Sequence, residues 1–223
     1  MQNALPVITN TTIKSNLITM TDARRGIRLN TINNATVTDN RVLMGTIHPP
    51  TPDLGIALEA SHANNISCNN VEGVGYSTAG ISYIPLSIAY DFQTSNSNTV
   101  SCNTSHNTDV GFRFLNDCNS TDFNSNEINE HWQGLRLRAQ PNMGPQLHKG
   151  NHWNFLNNYP GLGAQLIPLN ALTSATNLFR VLNYPTQGIF IEAPTHNLGF
   201  GFDWFDISTV PKQHAMYHYA NCL

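Results

Sequence analysis

Apolar and polar residues alternate in short segments that recur along the first 138 residues of the chain. One pattern is a glycine followed by an apolar residue, any residue and a second apolar residue. It occurs at residues 26–29, 55–58, 111–114 and 134–137, and at 89–92 with alanine in place of glycine. Successive side chains of a strand point to opposite faces, so the two apolar residues share a face. The pattern therefore predicts short strands with one buried face.

A second pattern places an asparagine three residues after an apolar residue. It recurs at Asn16, Asn40, Asn69, Asn103 and Asn126, which are separated by 24, 29, 34 and 23 residues. Such a near-constant spacing is typical of a solenoid, in which each repeat buries its apolar residues against its neighbours. The two long spacings indicate insertions near residues 43–54 and 72–88, which contain Gly or Pro as loops do.

Stacking equivalent strands about 4.8 Å apart produces parallel sheets with a continuous apolar interior. The asparagines then form a column in which each side-chain amide donates and accepts along the stack. We expect the glycine before each strand to permit a tight turn with positive φ. A sandwich of antiparallel strands is the alternative, but no Asn-Gly hairpin signal flanks these strands.

These residues resemble the right-handed parallel β-helix repeat shared by pectin-lyase-like proteins, over roughly residues 5–138. The resemblance implies an all-β fold, a single-stranded right-handed solenoid, and says little about activity. We expect residues 1–138 to form the β-helix and residues 139–223 an irregular C-terminal segment. That segment has at most one further strand at 188–191 and apolar residues that close the end of the stack.

Two short C-terminal segments, Gly-Asn-His-Trp at 150–153 and Phe-Asp-Trp-Phe at 202–205, resemble the tail that follows β-helix repeats in large secreted surface proteins of Bacteroidota. This resemblance implies secretion and attachment through regions outside the chain. The repeat is already in frame at Ile13 and Asn16. We therefore expect a piece of a larger protein, with flanking domains, or a chain that stacks on a partner.

Composition narrows the function classes. The net charge is −3 and only 11% of the residues are charged, so no basic field for nucleic acid is expected. No run of 18 apolar residues predicts a transmembrane segment. The first residues lack the charged and apolar regions of a signal peptide. Low charge together with many Asn, Ser and Thr residues suits an extracellular or cell-surface protein.

The third residue of the glycine pattern should face solvent and form a stripe across the repeats. The stripe contains Arg28, Ala57, Asp91, Arg113 and Arg136, and the next outward position adds Arg138. An arginine presents a planar fork that suits carboxylate or sulfate. We expect Arg113, Arg136 and Arg138, with Asp91 beside them, to bind an acidic polysaccharide. The alternative is a solvated face on which opposite charges balance.

A catalytic alternative rests on Asn107-Thr108-Asp109, which resembles the Asn-Thr-Asp motif of polygalacturonases, followed by Asp117, Asp122 and His131. Such hydrolases need two carboxylates, one as acid and one as base. Their Asp-Asp, Gly-His-Gly and Arg-Ile-Lys elements are absent from this chain. A polysaccharide lyase needs clustered Asp for calcium, and no such cluster shares a frame position. We therefore assign no catalytic residue and keep a lyase or hydrolase as the alternative function.

Histidine and cysteine give two further hypotheses. His214, His218 and Cys222 have helical spacing for a metal site, but a frayed polar terminus is favoured, and no metal or cofactor is expected. Cys68 and Cys102 hold the same position in adjacent repeats, with Cα atoms about 5 Å apart. A disulfide and a pair of stacked thiols are both compatible with that distance.

Overall fold

The computed structural model describes residues 10–45, 51–75, 85–139, 143, 145–147, 151–154, 162–168, 178–182, 191–192 and 205–208. These residues contain strands and no helix. The strands are β1 Thr12–Lys14, β2 Leu17–Met20, β3 Arg25–Asn30, β4 Thr36–Thr38, β5 Arg41–Met44, β6 Asp53–Glu59, β7 Asn65–Ser67, β8 Asn70–Glu72, β9 Ser87–Gln93, β10 Thr99–Ser101, β11 Thr104–Leu115, β12 Asp122–Asn124, β13 Glu127–Ala139, β14 Pro145–Leu147, β15 His152–Asn154, β16 Leu162–Pro168, β17 Leu178–Leu182, β18 Ile191–Glu192 and β19 Phe205–Ser208.

Every strand pairing among the described residues is parallel. One sheet has the order β1-β4-β7-β10-β12. A second contains the series β2-β5-β8-β11-β13, and β3, β6 and β9 join it through β11. Strands far apart in sequence thus lie side by side in register, which confirms the prediction of an all-β chain of parallel strands. We call β1–β3 the first repeat and β4–β6 the second repeat.

The interior of the stack is apolar and closely packed. Val37, Ile66, Val100 and Phe123 are neighbours in register and are fully buried. Burying such a side chain contributes about 1.5–3 kcal/mol. Aromatic rings of β9 and β11 lie face to face in the same interior. The ring centroids are 4.5 Å apart for Tyr90 and Phe112, and 4.8 Å apart for Phe92 and Phe114. The apolar residues of both sequence patterns therefore meet in one core.

The expected role of the repeated glycine is wrong. Gly26, Gly55 and Gly111 lie inside strands, and the only glycine with positive φ among the described residues is Gly75. What these positions require is space: a Cβ on Gly55 would lie 2.4 Å from a Val71 methyl and 2.6 Å from the carbonyl oxygen of Ala89. The glycine therefore permits a close approach of backbone to side chain inside the stack.

The positive φ falls on the residue that precedes each asparagine of the second pattern. Ser15, Asp39, Cys68, Cys102 and Ser125 have φ between 53° and 57°. This left-handed conformation turns the chain sharply between strands, as between β7 and β8. These residues are not glycines, so the glycine pattern did not predict their positive φ.

Parallel pairing extends beyond residue 138. β13 pairs with β16, β16 pairs with β18, and β14, β17 and β19 form a further parallel sheet. The predicted strand at 188–191 overlaps β18 at Ile191, whereas residues 188–190 lie outside the described residues. Parts of both insertions, 46–50 and 76–84, also lie outside them. The domain boundary at 138 stays a prediction.

Candidate functional site

The predicted asparagine column is the most regular polar feature of the molecule. The backbone N–H and the Nδ2 of each asparagine both donate to Oδ1 of the asparagine in the next repeat. For the pair Asn40 and Asn69 the two distances are 3.0 and 2.9 Å. The same geometry joins Asn16 to Asn40, Asn69 to Asn103, and Asn103 to Asn126. The column continues to Asn151, which sequence analysis did not include.

Each buried amide of the column is fully used. Asn69 is 1% exposed, and its Nδ2 also donates to the carbonyl oxygens of Val37 at 2.8 Å and Ser67 at 3.0 Å. Asn103 and Asn126 donate in the same way to Ile66 O and Val100 O. Because a buried polar group without a partner costs about 1–3 kcal/mol, the column stabilises the stack and has no spare capacity for a ligand.

A second polar column was missed by sequence analysis. Asn64 donates through its N–H and Nδ2 to Oδ1 of Asn98 at 2.9 and 3.1 Å, and its own Oδ1 accepts the N–H of Ala35. Beside it, the hydroxyls of Ser61 and Ser95 accept N–H groups from the preceding repeat. The signal that could have found this column is the position five residues before the main asparagine, occupied by Asn64 and Asn98.

The predicted basic patch is not a solvent-facing stripe. Asp91 is fully buried, Arg113 is 8% exposed and Arg136 is 2% exposed, whereas Arg28 and Arg138 are exposed. The expectation that this stripe faces solvent is therefore wrong at the residues that define the patch. Arg113 and Arg136 are neighbours in register, as are Arg113 and Asp91.

Arg113 and Asp91 form a two-point ion pair. Arg113 Nε donates to Asp91 Oδ1 at 2.6 Å and Nη2 donates to Oδ2 at 2.8 Å, while Gln93 also donates to Oδ2. The buried location follows from a second apolar cluster, separate from the core, that contains Leu54, Ala57, Ile88 and Val110. The strands β6, β9 and β11 are thus buried on both faces, and these charged side chains are used in internal contacts.

The residues of the catalytic hypothesis build a bend in β11 and β13. Asn107 and Glu130 both have positive φ at matching positions of the two strands. The Asp109 carboxylate accepts the backbone N–H groups of Leu86 at 2.6 Å and Ser87 at 3.0 Å. It therefore fixes the start of β9. Asp122 accepts from Asn124 at 2.9 Å, and Asp117 is half-buried.

His131 is fully buried behind this bend. Its Nε2 lies 3.0 Å from the Ser105 hydroxyl and its Nδ1 lies 3.0 Å from the Thr108 hydroxyl. Burial lowers the pKa of His131 to about 4, against the opposing effect of the Thr108 and Ser105 backbone. The ring is neutral at pH 7. Ser105 and Thr108 are also fully buried, so this Ser–His contact has no access to a substrate and holds the bend together.

The described cysteines and histidines form no metal site. Cys68 and Cys102 are half-buried, and no disulfide joins them in the structure. Burial raises the pKa of the Cys118 thiol to about 12. Within the described ranges, no group of three or more His, Cys, Asp or Glu side chains could hold a metal ion. His214, His218 and Cys222 lie outside those ranges.

Comparison with known proteins adds no further constraint on the site. No protein-family description, curated protein or solved structure matches the chain. Among the residues that the structure describes, no helix is long and apolar enough to cross a membrane.

Proposed function

We propose that the chain is a segment of a single-stranded right-handed parallel β-helix that serves as a scaffold module in a larger secreted surface protein. Parallel in-register strands, joined at a repeated left-handed corner, support the solenoid. The low charged fraction supports an extracellular location. Flanking regions of the larger protein would supply attachment and any catalytic function.

The observation that carries this proposal is that polar groups capable of forming a site are engaged in contacts inside the molecule. The buried side chains of the main asparagine column are hydrogen-bonded to one another and to backbone carbonyl groups, as the contacts of Asn69 illustrate. Asp91 and Arg113 neutralise each other, and Asp109 caps a strand. Groups held in this way stabilise the stack and are already engaged, so they do not form the converging acid and base that hydrolysis needs.

Binding of an acidic polysaccharide is the alternative role of the module. Of the predicted ligand-binding residues only Arg138 is exposed, so a contact with carboxylate or sulfate would be centred there. A polysaccharide lyase or hydrolase is the catalytic alternative. It requires two carboxylates on one open surface, and the Asp109 carboxylate is already bound to the N–H groups of Leu86 and Ser87.

The experiment that tests the proposal combines a glycan array with a uronate-release assay on the purified chain. A scaffold module gives no product from pectin, alginate or other acidic glycans and no selective array signal. Release of unsaturated uronates or reducing ends would overturn the scaffold proposal in favour of an enzyme. A selective signal that is lost in Arg138→Ala, and kept in the control Arg28→Ala at another exposed arginine, would establish glycan binding instead.

A further inference from the structure

The first repeat presents an open sheet edge. Within the described residues, β1 pairs with β4, β2 with β5 and β3 with β6, and none of the three has a partner on its other side. An open edge of parallel strands presents a row of backbone N–H and C=O groups that can pair with another strand. Each of the strands from β4 to β11, in contrast, has neighbours on both sides.

The asparagine column ends at this edge with an unused acceptor. Asn40 Oδ1 accepts both the N–H and the Nδ2 of Asn16, at 3.1 and 2.9 Å. Asn16 donates in the same manner as its successors, but no N–H group in the described part of the chain donates to its own Oδ1. Asn16 is exposed, whereas Asn40 is 2% exposed. Among the described residues, Asn16 Oδ1 therefore lacks the two donors that the Oδ1 of the next asparagine in the column receives.

The apolar interior is also incomplete at the same edge. Ile13 and Ile18 are only half-buried, although their partners in register, Val37 and Val42, are fully buried. The second repeat shows what covers such residues, namely the side chains of an adjacent repeat at the same positions. The end therefore lacks one layer of the packing that continues through the stack.

Charge does not oppose docking at this edge. Lys14 is paired with Asp39 at 3.6 Å, and Arg25 and Arg28 are both paired with Glu59. Charged side chains on an edge strand usually discourage pairing with another chain. Here Asp39 and Glu59 of the second repeat pair with these three cations, so an incoming repeat meets one net positive charge from this set instead of three.

We propose that this end of the stack, defined by β1, β2, β3 and Asn16 and here called the acceptor end, docks one further parallel repeat of the same kind. The incoming repeat carries an apolar residue three positions before an asparagine. The N–H and Nδ2 of that asparagine donate to Asn16 Oδ1. Its source is the preceding part of the larger surface protein, so this inference rests on the proposed scaffold function.

The test duplicates one repeat inside the full chain. Residues 10–33 are inserted a second time, directly before residue 10, so that the added copy can stack on the original acceptor end. We expect the amides of the original Thr12–Lys14 and Leu17–Met20 to exchange at least about tenfold more slowly with deuterium than in the unmodified chain. The thermal midpoint should rise at the same time.

Two matched controls separate docking from simple lengthening. Asn16→Leu in the added copy removes one of the two donors to the original Asn16. The increase in protection factor at the original strands should then be smaller, by up to about tenfold, than with the unmodified added copy. Ile13→Asp in the added copy places a charge in the interior and should abolish the gain. An added copy that exchanges as an unfolded peptide, with no change at the original strands, would refute the docking inference.

Failure of the inference and failure of the scaffold proposal give different results. Slow exchange of the Asn40 and Asn69 amides in the unmodified chain, without any gain on duplication, rejects docking and leaves the scaffold intact. Fast exchange of those two amides in the unmodified chain rejects the stacked scaffold itself. Concentration-dependent dimers that dissociate in the single variant Asn16→Leu would assign the acceptor end to a second copy, and so reject the source named above.

Discussion

Replacing Asn69 by leucine tests the central polar column at a fully buried position. The substitution removes the acceptor for the Asn40 N–H and Nδ2, and the donor to the carbonyl oxygen of Val37. At least two buried polar groups then lose a partner, each at a cost of about 1–3 kcal/mol. The apolar leucine gains little, because the site is shaped for a planar amide. We therefore expect the free energy of unfolding to fall by about 4 kcal/mol.

The matched control is Asn16→Leu at the exposed end of the same column. The substitution removes the Nδ2 group that donates to Asn40 Oδ1 and to the carbonyl oxygen of Lys14, but water can donate to these exposed acceptors instead. The expected loss is about 0.5–1 kcal/mol. Unfolding in urea, followed by circular dichroism, gives both values, and hydrogen exchange should localise the damage in Asn69→Leu to β4, β5, β7 and β8. Equal losses in the two variants would refute the argument that burial makes the column stabilising.

Three further substitutions follow from the described contacts. Arg113→Ala leaves the Asp91 carboxylate buried without its ion-pair partner and should cost about 3–5 kcal/mol in urea unfolding, whereas Arg113→Met with Asp91→Leu should recover most of that loss. Because the pKa of His131 is lowered to about 4 from 6.5, the unfolded chain binds a proton that the folded chain does not. The free energy of unfolding should therefore fall by about 3 kcal/mol as the pH drops from 6.5 to 4. This His131-dependent part of the loss should be absent from His131→Gln. Gly55→Ala puts a Cβ against a Val71 methyl and the Ala89 carbonyl oxygen and should lower the thermal midpoint through a loss of about 1–3 kcal/mol. The double variant Gly55→Ala with Val71→Ala should lose less stability than the sum of the two single variants, because the second change removes one of the two clashes.

The features that sequence analysis predicted well are those set by the repeat itself. The spacings of 24, 29, 34 and 23 residues between asparagines are the separations across the hydrogen bonds of the column. Apolar residues at fixed distances from each asparagine, such as Val37 and Ile66, are neighbours in register and buried. In a stack, position in the repeat determines position in space, so a periodic pattern is sufficient.

The features that were predicted wrongly depend on residues outside the repeat frame. Alternation places Arg113 and Arg136 on the outward face, and that face is buried here together with Ala57. Whether an outer face is covered depends on distant chain segments that carry no period. The glycine prediction failed for a different reason: positive φ and lack of space both favour glycine, and the sequence does not distinguish them.

The residues with positive φ at the repeated corner lower the stability of the fold, and substitution can raise it. Serine at positions 15 and 125 adopts φ values of 57° and 53°, a conformation that costs most residues about 1 kcal/mol and asparagine less. Ser15→Asn and Ser125→Asn are therefore candidates for raising thermal tolerance without altering any strand. Because the two corners lie in different repeats, their gains should add, and such a rod would suit display of grafted loops at elevated temperature.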